Sequence, residues 1–145
     1  MLSMSGLAFM EGIRDGTVPA PPICRVMNFR VDSVEPGQVV FRGSPAFDHT
    51  NPMGTVHGGW YGTLLDSAMA CAVMTIVPEG SYYTTLEYKV NVTRSLPIGM
   101  EVLSTGVVRH AGRTTSVATG ELRGVEDGKL YATGSTTCLI MSGSG

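Results

Sequence analysis

Asp66 is the residue that most needs a reason. It is the only Asp, Glu, Lys or Arg between His57 and Val77, and an ionised carboxylate in an apolar stretch is costly unless paired or hydrogen-bonded. A carboxylate kept there is either a structural acceptor or interface ion-pair partner, or a group held for chemistry such as general-base catalysis. Asn51, His57, Gly58 and Gly59 lie just ahead of it, before or at the start of the same stretch. If that stretch is a helix, its first turn presents unpaired backbone N–H groups with partial positive charge, suited to a developing oxyanion. Glycine there lets a substrate carbonyl approach closely, although Gly58, Gly59 and Gly62 would equally let a helix pack tightly against strands.

The elements that must position these residues follow from periodicity and breakers. Residues 57–77 read as one long helix of about 31 Å. With a single charge along it, such a helix must be wrapped nearly all round, and Pro78-Glu79-Gly80 ends it. Leu7, Met10, Ile13 and Arg14, set between Ser5 and Gly16, predict a short N-terminal helix, followed by an extended linker of proline and small residues over 17–22. Residues 23–34 and 38–43 predict strands joined by a hairpin at Glu35-Pro36-Gly37, and a polar loop over 44–56 leads to the long helix. Four further Val-, Thr- and Tyr-rich runs, 82–94, 101–109, 114–123 and 129–141, read as an antiparallel meander. The order (α)ββαββββ predicts an α+β domain in which an antiparallel sheet wraps around a long central helix. Residues 142–145 are expected to be a frayed tail.

Helix geometry sets a condition on any shared chemistry. His57 and Asp66 are nine residues apart, about 13.5 Å along a helix and about 180° around it. One helix cannot bring them to one substrate. If both act together, Asp66 must meet the helix start of a second copy, as a two-fold homodimer with facing helices allows.

Composition narrows the function classes. With 145 residues the chain has room for one domain. A net charge of −2 with no basic run gives no field for nucleic acid or an anionic membrane surface. No run reaches the ~18 apolar residues of a membrane span, and the N-terminus lacks the pattern of a secretory leader. Cys24, Cys71 and Cys138 are an odd number in apolar surroundings, which reads as reduced thiols in a cytoplasmic protein. His49, His57 and His110 have no metal-ligand spacing, so no metal is expected. GxGxxG, Walker and GxSxG motifs are absent, so no dinucleotide or nucleoside-triphosphate cofactor is implied and the serine-hydrolase route fails.

The run Asn51-Pro52-Met53-Gly54-Thr55-Val56-His57-Gly58-Gly59-Trp60-Tyr61-Gly62-Thr63-Leu64-Leu65-Asp66 resembles the signature of hotdog-fold acyl-CoA thioesterases of the phenylacetate-degradation (PaaI-like) type. The resemblance continues in Thr85-Leu86-Glu87-Tyr88-Lys89-Val90-Asn91 and in the later turn His110-Ala111-Gly112-Arg113-Thr114-Thr115, covering roughly residues 23–141. It implies that the Gly58 N–H polarises a thioester carbonyl, that Asn51 helps to hold that carbonyl or the water, and that His57 supports the loop and the departing thiolate. Asp66 of the other subunit would act as general base on water, or as a nucleophile forming an anhydride, with Thr85 orienting the water. A related arrangement with a helix Glu keeps a Thr one turn further on, where this chain has Ala70, so Asp66 with Thr85 favours the PaaI-like branch.

By the same resemblance, backbone N–H groups and side chains at His110, Gly112, Arg113 and Thr114 suit the phosphates of coenzyme A, although an ordinary hairpin loop has the same features. Gly59 belongs to the same substrate site, and Trp60 and Tyr61, in the first helical turn, suit the lining of an acyl or aryl pocket, although such aromatics are more often core. The expected reaction needs no cofactor beyond the coenzyme A thioester itself, and the expected assembly is a homodimer or a dimer of dimers. A non-catalytic acyl-CoA binder on the same fold is the competing reading, while a hotdog dehydratase uses a different His/acid arrangement.

Overall fold

The computed structural model of the protein describes residues 3–143. Helix α1 spans Gly6–Asp15 and is bounded as its sequence predicts: the Ser5 hydroxyl accepts the Ala8 N–H at 3.2 Å, and Gly16 closes the helix in the left-handed region at φ 82°. The first strand begins later than residue 23. Pro22–Val26 instead forms a short helix, α2, because proline at the first helical position has its φ already set and no N–H to leave unbonded. Asn28, at φ 54°, then turns the chain into β1, Phe29–Glu35. The expected hairpin leads to β2, Gln38–Gly43, with Glu35 opposite Gln38 and Gly37 at φ 78°.

Helix α3 runs Gly58–Met74 with His57 as its N-cap. It stops short of residue 77 because Pro78 has no N–H to offer the Met74 carbonyl, which accepts the Val77 N–H at 3.1 Å instead. Trp60, Leu64, Leu65, Ala68, Met69, Ala72 and Val73 are almost completely buried, as a helix with one charge requires. Thr75 ties its C-terminal end to the hairpin by accepting the Gly37 N–H at 2.7 Å.

Strands β3 (Ser81–Val92), β4 (Val102–Ala111), β5 (Thr115–Gly124) and β6 (Leu130–Ser142) complete one antiparallel sheet in the order β1-β2-β4-β5-β6-β3. This is the hotdog architecture, with one correction to the expected meander. Only β4, β5 and β6 follow one another; β3 lies at the far edge, paired along its length with β6. Strand character is legible in local sequence, but the partner is chosen by cover: with β3 at the far edge, α3 has strands against it from β2 through to β3. At Leu86 a β-bulge interrupts the β3–β6 register between Thr85 and Glu87. Of the expected frayed tail, Ser142 instead closes β6 and the Gly143 N–H bonds the Gly80 carbonyl at 2.7 Å; residues 144–145 lie outside the described residues.

The sheet approaches α3 over small residues. A Cβ on Gly106 would lie 2.2 Å from the Ala68 carbonyl oxygen, and one on Gly120 2.9 Å from Met69 Cγ. Gly106→Ala is therefore expected to push helix and strand apart and to cost about 3 kcal/mol, the upper part of the usual range for overpacking. Urea unfolding would measure it, and a loss within error of zero would contradict the close approach.

Candidate active site

Asp66 sits half-buried in the middle of α3, and its Oδ1 accepts the Thr85 hydroxyl at 3.0 Å. Burial pushes the Asp66 carboxyl above the usual carboxylate range, and the hydrogen bond from Thr85 offsets part of that rise. The structure thus brings together two of the residues singled out in the sequence, from α3 and β3 of one subunit. Ser67, Cys71 and Tyr83 border the same cavity as Asp66. These three were missed in the sequence. Ser67 and Cys71 are four positions apart and share a helix face, but they lie about 100° and 140° around the helix from Asp66, so a helical wheel does not set them beside it; nothing local marks Tyr83.

The start of α3 is built by hydrogen bonds within its own loop. Asn51 Oδ1 accepts the Met53 and Thr55 N–H groups at 3.0 and 3.2 Å, and its Nδ2 donates to Thr55 Oγ1 at 2.8 Å. An amide carries two hydrogens, so one donor of Asn51 is left over. His57 Nδ1 accepts the Gly59 N–H at 2.8 Å, which leaves the ring proton on Nε2. His49 accepts the Ala46 N–H through Nδ1 and bonds the Val26 carbonyl at 2.7 Å through Nε2, a structural role.

Among the described residues, no hydrogen bond takes the Gly58 N–H. A Cβ on Gly58 would meet nothing within 4 Å, whereas one on Gly59 would crowd the His57 ring and one on Gly62 the Tyr88 ring. Packing therefore explains Gly59 and Gly62 and leaves Gly58 as a bare donor on open space.

The other sequence candidates are more dispersed. Trp60 is buried and donates Nε1–H to the Met27 carbonyl at 2.9 Å, yet its edge borders the hollow between His49, His57, Gly59 and Thr63. Tyr61 belongs to the core, with its hydroxyl accepting the Leu96 N–H at 2.8 Å. Gly112, Arg113 and Thr114 form the β4–β5 turn, with His110 near the end of β4 paired to Val117; the Gly112 N–H closes the turn on the Thr115 carbonyl at 2.8 Å, and Arg113 is exposed. Register puts this turn at the level of Thr85, because Ser116 and Thr85 both pair with Cys138, two strand spacings or about 9.6 Å away across the sheet. Helix length keeps the Asp66–Thr85 pair and Gly58 apart within one chain, about 12 Å along α3.

Comparison with known proteins identifies the family. The thioesterase superfamily matches residues 53–131, just over half of the chain, from the loop before α3 into β6. Acyl-coenzyme A thioesterase 13 of Mus musculus is 30% identical over 105 residues, covering 72% of this chain and 74% of its own. A thioesterase family protein from Silicibacter pomeroyi superposes with a TM-score of 0.82 at 26% identity, over 92% of this chain and 99% of its own. A phenylacetic acid degradation-related protein from Ralstonia eutropha JMP134 superposes with a TM-score of 0.81 at 26% identity, over 90% of this chain and 98% of its own. A half-buried carboxylate with a hydroxyl on it, a bare helix-start donor and these similarities converge: the chain belongs to the thioesterase superfamily and is a thioester hydrolase on the hotdog fold.

Proposed function

We propose that the protein hydrolyses an acyl- or aryl-CoA thioester to the carboxylic acid and free coenzyme A, using water activated by Asp66. The Asp66–Thr85 pair carries the reading: a carboxylate whose proton affinity is raised by burial is a better base than an exposed one, and the Thr85 hydroxyl fixes its orientation. Asp66 takes a proton from water as the oxygen attacks the thioester carbon. The resulting oxyanion is met by the Gly58 N–H at the positive end of α3, with the remaining Asn51 donor beside it. Collapse expels the thiolate, which the His57 Nε2–H is suited to receive. Water supplies the OH of the acid and the proton of the thiol, so no bound cofactor is needed.

The two halves of this machinery come from two subunits. Strand β3 supports that assignment, since it is a sheet edge whose Leu86, Tyr88 and Val92 are 56%, 48% and 50% exposed. A long unpaired sheet edge that exposes apolar side chains is an association surface, and a two-fold axis beside it would set α3 against its copy, Asp66 of each towards Gly58 of the other. The β4–β5 turn, with Arg113, is assigned to the coenzyme A phosphates. The substrate pool is taken to be cytoplasmic, where the three free thiols stay reduced; among the described residues no helix is long and apolar enough to cross a membrane.

Asp66→Asn is expected to lower turnover by roughly 10²- to 10⁴-fold. In the wild type kcat should rise with pH through an ionisation above the usual carboxylate range, and that limb should vanish in the variant. Because the folded-state pKa is raised, stability is lost as pH rises through it, so Asp66→Asn should melt higher at neutral pH. Thiol release from an acyl-CoA panel, with thermal melts, measures all three. Wild-type turnover in the variant would remove Asp66 from the mechanism, and wild-type binding without any thiol release would make the protein a non-catalytic binder.

Sharing across the dimer predicts complementation. Asn51→Ala and Asp66→Asn chains, each nearly inactive alone, form mixed dimers with one doubly damaged and one intact site. With random pairing and independent sites, about a quarter of all sites should be wild type. Purified mixed dimers no more active than either parent would place the whole site in one subunit. Arg113→Ala should mainly raise KM for CoA esters and leave truncated pantetheine thioesters unaffected; equal losses on both would take Arg113 away from the phosphates.

A further inference from the structure

Two adjoining cavities begin at the Asp66–Thr85 pair. The first, of about 180 Å³, is bordered by Asp66 and by Val31, Phe41 and Ala70; the second, of about 500 Å³, is bordered by Thr85 and by Phe9 and Met74. They share Met10, Ile13, Pro21, Cys71 and Tyr83, so a small cavity beside Asp66 adjoins a wider one beside Thr85, with α1 and the linker after it along the outer side of both. This outer wall is fixed. The Gly6 N–H bonds the Val77 carbonyl at 3.2 Å, and a Cβ on Gly6 would fall 1.8 Å from the Met74 carbonyl oxygen, so α1 is seated directly on the end of α3. The wall also lies outside residues 53–131, the part of the chain that the superfamily shares.

The chemistry of the lining selects its guest. No Lys or Arg borders either cavity, and Asp66 is the one charged residue that does. Burial pushes the Cys71 thiol up to about 12, so it stays neutral and lines the space as a small apolar group. A carboxylate or phosphate on the far end of an acyl group would be left unpaired in apolar surroundings and repelled by Asp66.

We infer that these adjoining cavities receive the acyl group of the substrate, that the group is uncharged and apolar, and that Met10 and Ile13 on α1 set how long or broad it is. The inference rests on the reading of the site as an acyl-CoA hydrolase. The acyl group then lies in the subunit that supplies Asp66, and α1 determines specificity although it carries no reacting group.

S-alkyl coenzyme A thioethers cannot be hydrolysed, so their binding reads the pocket without turnover. By calorimetry, wild-type affinity is expected to rise about threefold to fourfold per added methylene until the space is full. In Ile13→Trp the rise should stop at a shorter chain, and in Ile13→Ala it should continue to a longer one. A thioether of equal length ending in a carboxylate should bind at least tenfold more weakly. Length profiles identical in wild type and both variants, or equal binding of the carboxylate-ended compound, would overturn the assignment. If Ile13→Trp fails to fold, Ile13→Ala alone decides. The two readings fail separately: thiol release with unmoved length profiles keeps hydrolysis and removes the pocket, whereas moved profiles without thiol release keep the pocket and remove hydrolysis.

Discussion

The structure depends on hiding one apolar helix. α3 carries a single charge along its length, and an apolar helix of this kind has a stable place only inside other structure. The sheet supplies that place by coming close, which is why Gly106, Gly120 and Gly134 face α3 where bulkier residues would hold it away. Once the helix is enclosed, its one carboxylate is enclosed with it. The basicity of Asp66 and the stability of the core are therefore two effects of one burial, acting in opposite directions.

Much of this was legible in the sequence because it is local. Caps, breakers and alternation are written within a few residues of where they act: Ser5 and Gly16 bound α1, Pro36-Gly37 turns the first hairpin, and His57 with the glycines after it opens α3. What was not legible is long-range. The position of β3 at the far edge is decided by which flank of α3 lacks cover, and no neighbour in sequence records that. The helical turn at Pro22 was obscured by the β-branched and aromatic residues that follow it, and the end of α3 was placed late because the effect of Pro78 reaches back four residues. Within the site, the type and spacing of Asp66 and Thr85 singled them out, while Tyr83 is one of several strand aromatics until the fold brings it to the cavity.

The glycines illustrate how a structure separates readings that a sequence leaves joined. Gly58, Gly59 and Gly62 form one motif, yet a side chain would strike the capping His57 at the second and the Tyr88 ring at the third, and nothing at the first. Two of the three are accounted for by the fold. The loop that holds the first in place spends most of the hydrogen-bonding capacity of Asn51 on itself, so the bare donor is presented by a rigid frame.

The bulge at Leu86 has a consequence for how the chain can change. Before it, Tyr83 and Thr85 turn towards the cavity and Asp66; after it, Tyr88 and Val90 turn towards the helix and core. The inward set passes from odd to even numbers at a single extra residue. Without that residue the strand would have one phase, and either the hydroxyl or the packing tyrosine would be carried to the opposite face. The identity of Leu86 is thus less constrained than its existence. Substitution at this point keeps both phases of the strand, whereas deletion uncouples the half of the strand that serves chemistry from the half that serves cohesion.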